Sequence, residues 1–171
     1  MRMKKFFFSI VALMLIISAK GFASNPDDII GKWMYLNEKG EQVNIEVYKE
    51  GDRYFGKIVW LQVPNYTAEF LEDEGHPEKD FPNVKLGAAK IDYKNPDAAR
   101  RNDPIIGLII LKGVKYDADD DEWNDGFVYK ADEGKTYTCF VKLENADKLK
   151  LKGYILGMPW LGKTRYWTRM K

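Results

Sequence analysis

The chain has one cysteine and one histidine in 171 residues. A lone Cys139 excludes a disulfide within the chain, so an oxidising compartment must be met by burying the thiol. A lone His76, set in a polar stretch, lacks the second imidazole that common zinc sites use and is of the kind that sits inert on a surface. An excess of one charge is missing too. Lys and Arg total 27 against 26 Asp and Glu, and their interleaving along strands leaves no clustered basic face of the kind nucleic acid requires. The longest uncharged run near the start, Phe6 to Ala19, is 14 residues, short of the ~20 that cross a bilayer as a helix.

That run has a different use. Arg2, Lys4 and Lys5 precede it and Gly21, Phe22 and Ala23 follow it, the order of a secretory signal: positive start, apolar middle, small residues before the cut. Cleavage is expected after Ala23, so residues 1–23 are a signal peptide and 24–171 a single domain, exported to the periplasm or beyond. No cysteine lies near the cut to carry a lipid anchor, and no stable membrane insertion is expected after cleavage. Removing 23 of 171 residues leaves 148, the size of one domain with a real core. Loss of Arg2, Lys4, Lys5 and Lys20, with no acid, moves the formal charge from +1 to −3.

The remainder alternates. Leu149 and Leu151 fall between Lys148, Lys150 and Lys152, and Val43, Ile45 and Val47 between Asn44, Glu46 and Tyr48, the pattern of strands with one wet face. Eight strands are predicted, at about 31–36, 42–49, 54–62, 108–116, 123–130, 135–143, 148–155 and 165–170. The last five are joined by the short links "DADDDE", "ADEG", "ENAD" and "GMPWLG", which make neighbours antiparallel. The fold class is therefore all-β: an eight-stranded antiparallel up-and-down barrel, since closure removes both exposed edges. Residues 63–104 interrupt it between the third and fourth strands. Within this insert "NPDAARR" predicts a short helix with Asn95 as cap and Pro96 at its first position. The following "IIGLIIL" is apolar on both faces and should be covered by the insert or by a partner subunit.

Gly31, Trp33 and Arg169 form a further pattern. A Trp early in the first strand can plug a barrel end, and a late Arg on the neighbouring last strand can lie over its indole. This resembles the Gly-x-Trp and late-Arg signature of the calycin barrels, which include the lipocalins. Across the chain "IIGKW", "GKIVWL", "NPDAARRNDPIIGLIIL", "EWNDGFVY", "GKTYTCFVKLE", "LKLKGYI" and "LGKTRYWTRM" resemble the bacterial domain-of-unknown-function family 2147. The resemblance implies an exported, calycin-like barrel and no established activity, cofactor or catalytic residue. The acidic stretch "AEFLEDEGHPEKDFPNVKLG" departs from that family's pattern.

Candidate site residues follow from rings and polar neighbours. Trp33, Trp60, Trp123, Tyr137 and Trp167 are expected to point inward, where they either fill the barrel or line a pocket for one small ligand. Asn124 and Arg100 are the polar groups that would orient a ligand at the mouth, although Arg100 also suits a solvated helix end. Ligand contacts are thus assigned to Trp60, Arg100, Trp123, Asn124 and Tyr137, and the structural signature to Gly31, Trp33, Trp167 and Arg169. Asp117, Asp119 and Asp121 mimic a calcium loop, but Glu122 and Val128 stand where Gly and Glu are needed, so no metal site is assigned. Cys139 falls on the apolar face of its strand, a structural thiol rather than a nucleophile. No catalytic constellation or cofactor motif is found. The expectation is a non-enzymatic barrel holding a small apolar or amphipathic ligand. The alternative is a filled barrel serving as an envelope interaction module, with a homodimer surface on the "IIGLIIL" strand.

Overall fold

Two-residue periodicity becomes eight strands in the computed structural model, which describes residues 24–171. The expected signal peptide, residues 1–23, lies outside the described residues. The strands are β1 Gly31–Leu36, β2 Gln42–Glu50, β3 Arg53–Leu61, β4 Ile109–Asp117, β5 Glu122–Lys130, β6 Lys135–Asn145, β7 Lys148–Ile155 and β8 Met158–Arg169. Each pairs antiparallel with the next, and β8 closes on β1 with Trp33 opposite Arg169 and Met34 opposite Thr168. This is the expected closed barrel.

One half of the barrel is packed solid. Trp33, Trp123, Tyr54, Ile45, Leu111 and Leu149 are at most 1% exposed. Residues 24–30 run across this end and receive the polar tips of those rings. Trp33 Nε1 donates to the Ile29 carbonyl at 2.9 Å, and Trp123 Nε1 to Pro26 at 3.0 Å. The Tyr54 hydroxyl meets Asp27 at 2.6 Å and the Tyr116 hydroxyl meets the Ser24 carbonyl at 2.8 Å. Buried indoles and phenols need such partners, so the segment seals the end and satisfies it at once.

Gly31 and Arg169 complete the seal. The Arg169 guanidinium lies 4.1 Å from the Trp33 ring centre and donates to the carbonyls of Asp28, Ile30 and Ala146. Gly31 has φ +133°, and a Cβ there would sit 3.1 Å from Arg169 Nη1. Only glycine accepts that backbone and leaves room for the guanidinium.

The insert has its own small core of Tyr66, Leu71, Val84 and Tyr93, with Phe70 and Phe81 packed against it. It contains α1, Ala68–Asp73, capped by Thr67 accepting from the Phe70 amide at 3.1 Å, an element the sequence reading lacked. A buried carboxyl holds the insert to the barrel. Asp92, 1% exposed, accepts from the Tyr129 hydroxyl at 2.8 Å and from Asn95 Nδ2 at 2.6 Å, and burial raises its pKa.

Three expectations are corrected. The short helix expected at "NPDAARR" is present as one 3-10 turn, Ala98–Arg100, but its cap is Asp97 rather than Asn95, whose Oδ1 accepts instead from the Asp97 amide at 2.9 Å. The insert does not cover the "IIGLIIL" strand: it covers Tyr129 on β5, leaving Ile106 44% and Ile109 37% exposed. β8 begins at Met158 rather than Arg165, because two residues, Leu156 and Gly157, suffice to turn the chain and Ile155 pairs directly with Met158.

Candidate functional site

The other half of the barrel is hollow. A cavity of about 920 Å³ opens at the end carrying the β1–β2, β5–β6 and β7–β8 turns and the insert. Its walls are apolar: Val43, Ile58, Leu61, Ile110, Leu151 and Trp167. Tyr35 stacks on Trp167, with ring centres 6.0 Å apart and planes 18° from parallel, and burial pushes its phenol up to about 12. The rings expected to point inward are thus divided between the two ends. Trp33 and Trp123 fill one end; Tyr35, Tyr137 and Trp167 line the other.

The mouth is ionic, with most charges already matched. Glu38 accepts from Arg165 at 2.6 Å and lies 3.4 Å from Lys130, whose charge leads the effects that lower the Glu38 pKa. Lys94 pairs with Glu74 at 2.6 Å and Lys39 with Asp73 at 2.7 Å. Lys90 is the exception among the enclosed cations of the mouth. Its side chain is 17% exposed, its nearest carboxylate oxygen, on Glu41, is 3.8 Å away, and that oxygen already accepts from Asn37 at 2.9 Å. Burial lowers the Lys90 pKa, the mark of a cation short of compensating charge.

Glu133, on the β5–β6 turn, is the most perturbed acid of the rim. Hydrogen bonds from Lys130 and then Tyr137, each 2.5 Å, hold its carboxyl at about 2. A carboxyl lowered from its ordinary 4.5 lends stability that is complete above about 4.5 and lost as pH falls toward about 2. Acidification through that window is expected to loosen the rim before the sealed end. Amide exchange at residues 131–137 should quicken well ahead of exchange around Trp33; simultaneous loss at both places would contradict this.

The five ligand contacts expected from sequence are scattered. Tyr137 lines the cavity. Trp123 is in the sealed end, and Asn124 donates to Asp117 at 3.3 Å beside the turn at that same end. Arg100 pairs with Asp103 at 3.0 Å outside the barrel. Trp60 is 44% exposed, which corrects its inward assignment. Tyr54, Gly56 and Ile58 alternate inward, but Ile45 pairs with Ile58 and its neighbour Asn44 with Trp60, so β3 carries one extra residue there. That bulge reverses the phase, sending Leu61 in and Trp60 out. Tyr35 and Lys90 were missed. Tyr35 was legible, two residues beyond Trp33 on one strand face; Lys90 was not, since only the folded insert brings it to the mouth.

Among the described residues no three His, Cys, Asp or Glu side chains gather as metal ligands. Cys139 is buried, and desolvation pushes its thiol up to about 12. Asp121 in the acidic turn accepts from the Ser24 amide at 2.9 Å and the Tyr116 hydroxyl at 3.0 Å, joining that turn to the seal.

A family model described as "Uncharacterized protein conserved in bacteria (DUF2147)" matches residues 31–169. No curated protein matches the chain. Among solved structures it is similar to protein HP1028 from the human pathogen Helicobacter pylori, described as belonging to the lipocalin family. The TM-score is 0.61 at 18% identity, over 83% of this chain and 82% of that one, a likeness of fold.

Proposed function

The chain belongs to the bacterial DUF2147 family, and on that premise we propose that it is an exported, non-enzymatic binding protein holding one small amphipathic molecule in the open half of its barrel. The cavity carries this reading. Its volume, about 920 Å³, falls in the range of roughly 300 to 1,000 Å³ typical of small-molecule sites. An apolar floor beneath an ionic rim suits a molecule with an apolar body and a polar head. Lys90, weakly paired and half-enclosed, favours an acidic head group.

Oleate is a suitable probe, with oleyl alcohol as its neutral counterpart. Lys90→Met is expected to weaken oleate binding about tenfold, the scale of one lost charge-assisted hydrogen bond, and to leave the alcohol unaffected. Equal weakening of both would remove Lys90 as the head-group contact. Absence of binding to either, together with a native mass showing no co-purified molecule, would refute the cavity reading.

A second reading rests on the outer face of β4 and β5 and the chain entering β4, where Ile109, Phe127 and Ile106 are 37%, 50% and 44% exposed. That apolar face suits a partner subunit. The same native mass measurement tests it, since a homodimer would show twice the chain mass.

A further inference from the structure

All 26 acidic residues of the chain lie between Asp27 and Asp147. From Lys148 to the last residue, Lys171, there are seven cations and no acid. This segment is the β7–β8 hairpin, so one hairpin carries a positive field on an otherwise acidic barrel. Some of its cations are committed: Lys148 to Glu144, Arg165 to Glu38, Arg169 to the sealed end. Lys150 and Lys152 enter no ion pair among the described residues, and Lys163, with its side chain 74% exposed, only approaches Glu38 at 3.8 Å.

The tip of the same hairpin is apolar and wet. Ile155, Leu156, Met158, Trp160 and Leu161 are 51%, 79%, 37%, 71% and 57% exposed, five large side chains within seven residues. Single exposed apolar residues are ordinary, but a cluster of this kind marks a contact surface. Trp favours the boundary between lipid head groups and acyl chains, where its ring is buried and its N–H stays wet, and flanking lysines favour anionic head groups. A second copy of the chain is a poor occupant, because a two-fold contact at the tip would bring the two basic hairpins together.

We propose that the β7–β8 tip docks on an anionic lipid bilayer, with Leu156, Trp160 and Leu161 entering the head-group layer and Lys150, Lys152 and Lys163 meeting the lipid phosphates. The hairpin lies on the membrane and does not span it. Trp160 and Leu161 also border the cavity mouth, so docking turns that mouth toward the bilayer. The surface is independent of whether the cavity is occupied.

Co-sedimentation of the purified protein with phosphatidylglycerol vesicles, and with phosphatidylcholine vesicles for comparison, tests this directly. The protein should pellet with the first and not the second, and added salt should release it. A Leu156→Ser, Trp160→Ser double variant should bind about tenfold less, since affinity follows the apolar area inserted. Gln at positions 150, 152 and 163 should weaken binding and flatten its salt dependence. Leu156, Trp160 and Lys163 are exposed and Lys150 and Lys152 half-buried on the outer face, so the double variant should keep the wild-type unfolding midpoint and the triple Gln variant should stay within about 0.5 kcal/mol of it. Equal pelleting with both lipids, or unchanged binding by the double variant, overturns the proposal; the latter would place attachment elsewhere on the protein. A wild-type dimer that the double variant dissociates would show the tip to be a protein contact and overturn it as well. Oleate titration reads the cavity and vesicle binding reads the tip, so the two failures are distinguishable.

Discussion

Trp33→Ala is expected to lower the free energy of unfolding by about 3–5 kcal/mol, the usual cost of removing a fully buried aromatic side chain. Three losses coincide at this position. The indole is 0% exposed within the sealed half of the barrel, so its removal leaves a void bounded by residues that cannot all collapse inward. Its N–H no longer engages the Ile29 carbonyl, 2.9 Å away, which loosens the segment crossing the barrel end. Arg169 loses the ring it lies over at 4.1 Å, a contact worth ~0.5 to 2 kcal/mol depending on desolvation. Urea unfolding followed by circular dichroism measures the sum. Trp60→Ala is the matched control: its ring is 44% exposed on the outer face, and its removal should change stability by no more than about 0.5 kcal/mol. Similar effects for the two would invalidate the assignment of inside and outside on β1 and β3.

The second large effect belongs to Gly134→Ala, in the turn between β5 and β6. Gly134 has φ +64°, and a Cβ built there would collide with the Lys94 carbonyl oxygen. Lys94 belongs to the insert and is anchored by its ion pair with Glu74 at 2.6 Å, so a Cβ with no rotamer freedom meets backbone that cannot simply swing aside. The insert must therefore shift away from the mouth. A loss of about 1–3 kcal/mol is expected from backbone strain and overpacking combined. Limited proteolysis should also cut residues 63–104 faster than in the wild type. Gly40→Ala separates the two causes, because Gly40 has φ +78° and open space where the Cβ would go. It should bear the conformational cost alone and leave the insert as resistant as before. If both variants expose the insert equally, the contact between Gly134 and Lys94 does not hold it.

Both predictions turn on the boundary between what alternation can reveal and what it cannot. The strand count and antiparallel order were legible, because a strand with one wet face must alternate and short links leave its neighbour no other direction. The plug was legible for a related reason: closing eight strands makes the first and last neighbours, so Trp33 and Arg169 had to meet. Trp60 shows where alternation fails. One unpaired residue in β3 reverses every assignment beyond it, and no local preference in "GKIVWL" reports the bulge. The start of β8 was hidden by Gly157, Pro159 and Gly162, a composition that reads as a loop when its pairing partner is unknown.

The candidate site was legible only in outline. Rings at alternating positions reveal that a face is aromatic, and whether they fill or line depends on how deep each lies along the barrel axis. That depth is set by register, which placed Trp33 and Trp123 at the sealed end and Trp167, Tyr35 and Tyr137 above them. Lys90 and Asp92 sit in an insert whose path no period describes. Their environments, a weakly matched ammonium at the mouth and a buried carboxyl beneath Tyr129, arise from contacts between segments far apart in the chain. The sequence alone determined a barrel of eight strands and its closure, since these follow from periodicity and turn length. Tertiary structure alone decided that half the barrel is hollow, because empty volume is a property of how side chains from many strands meet.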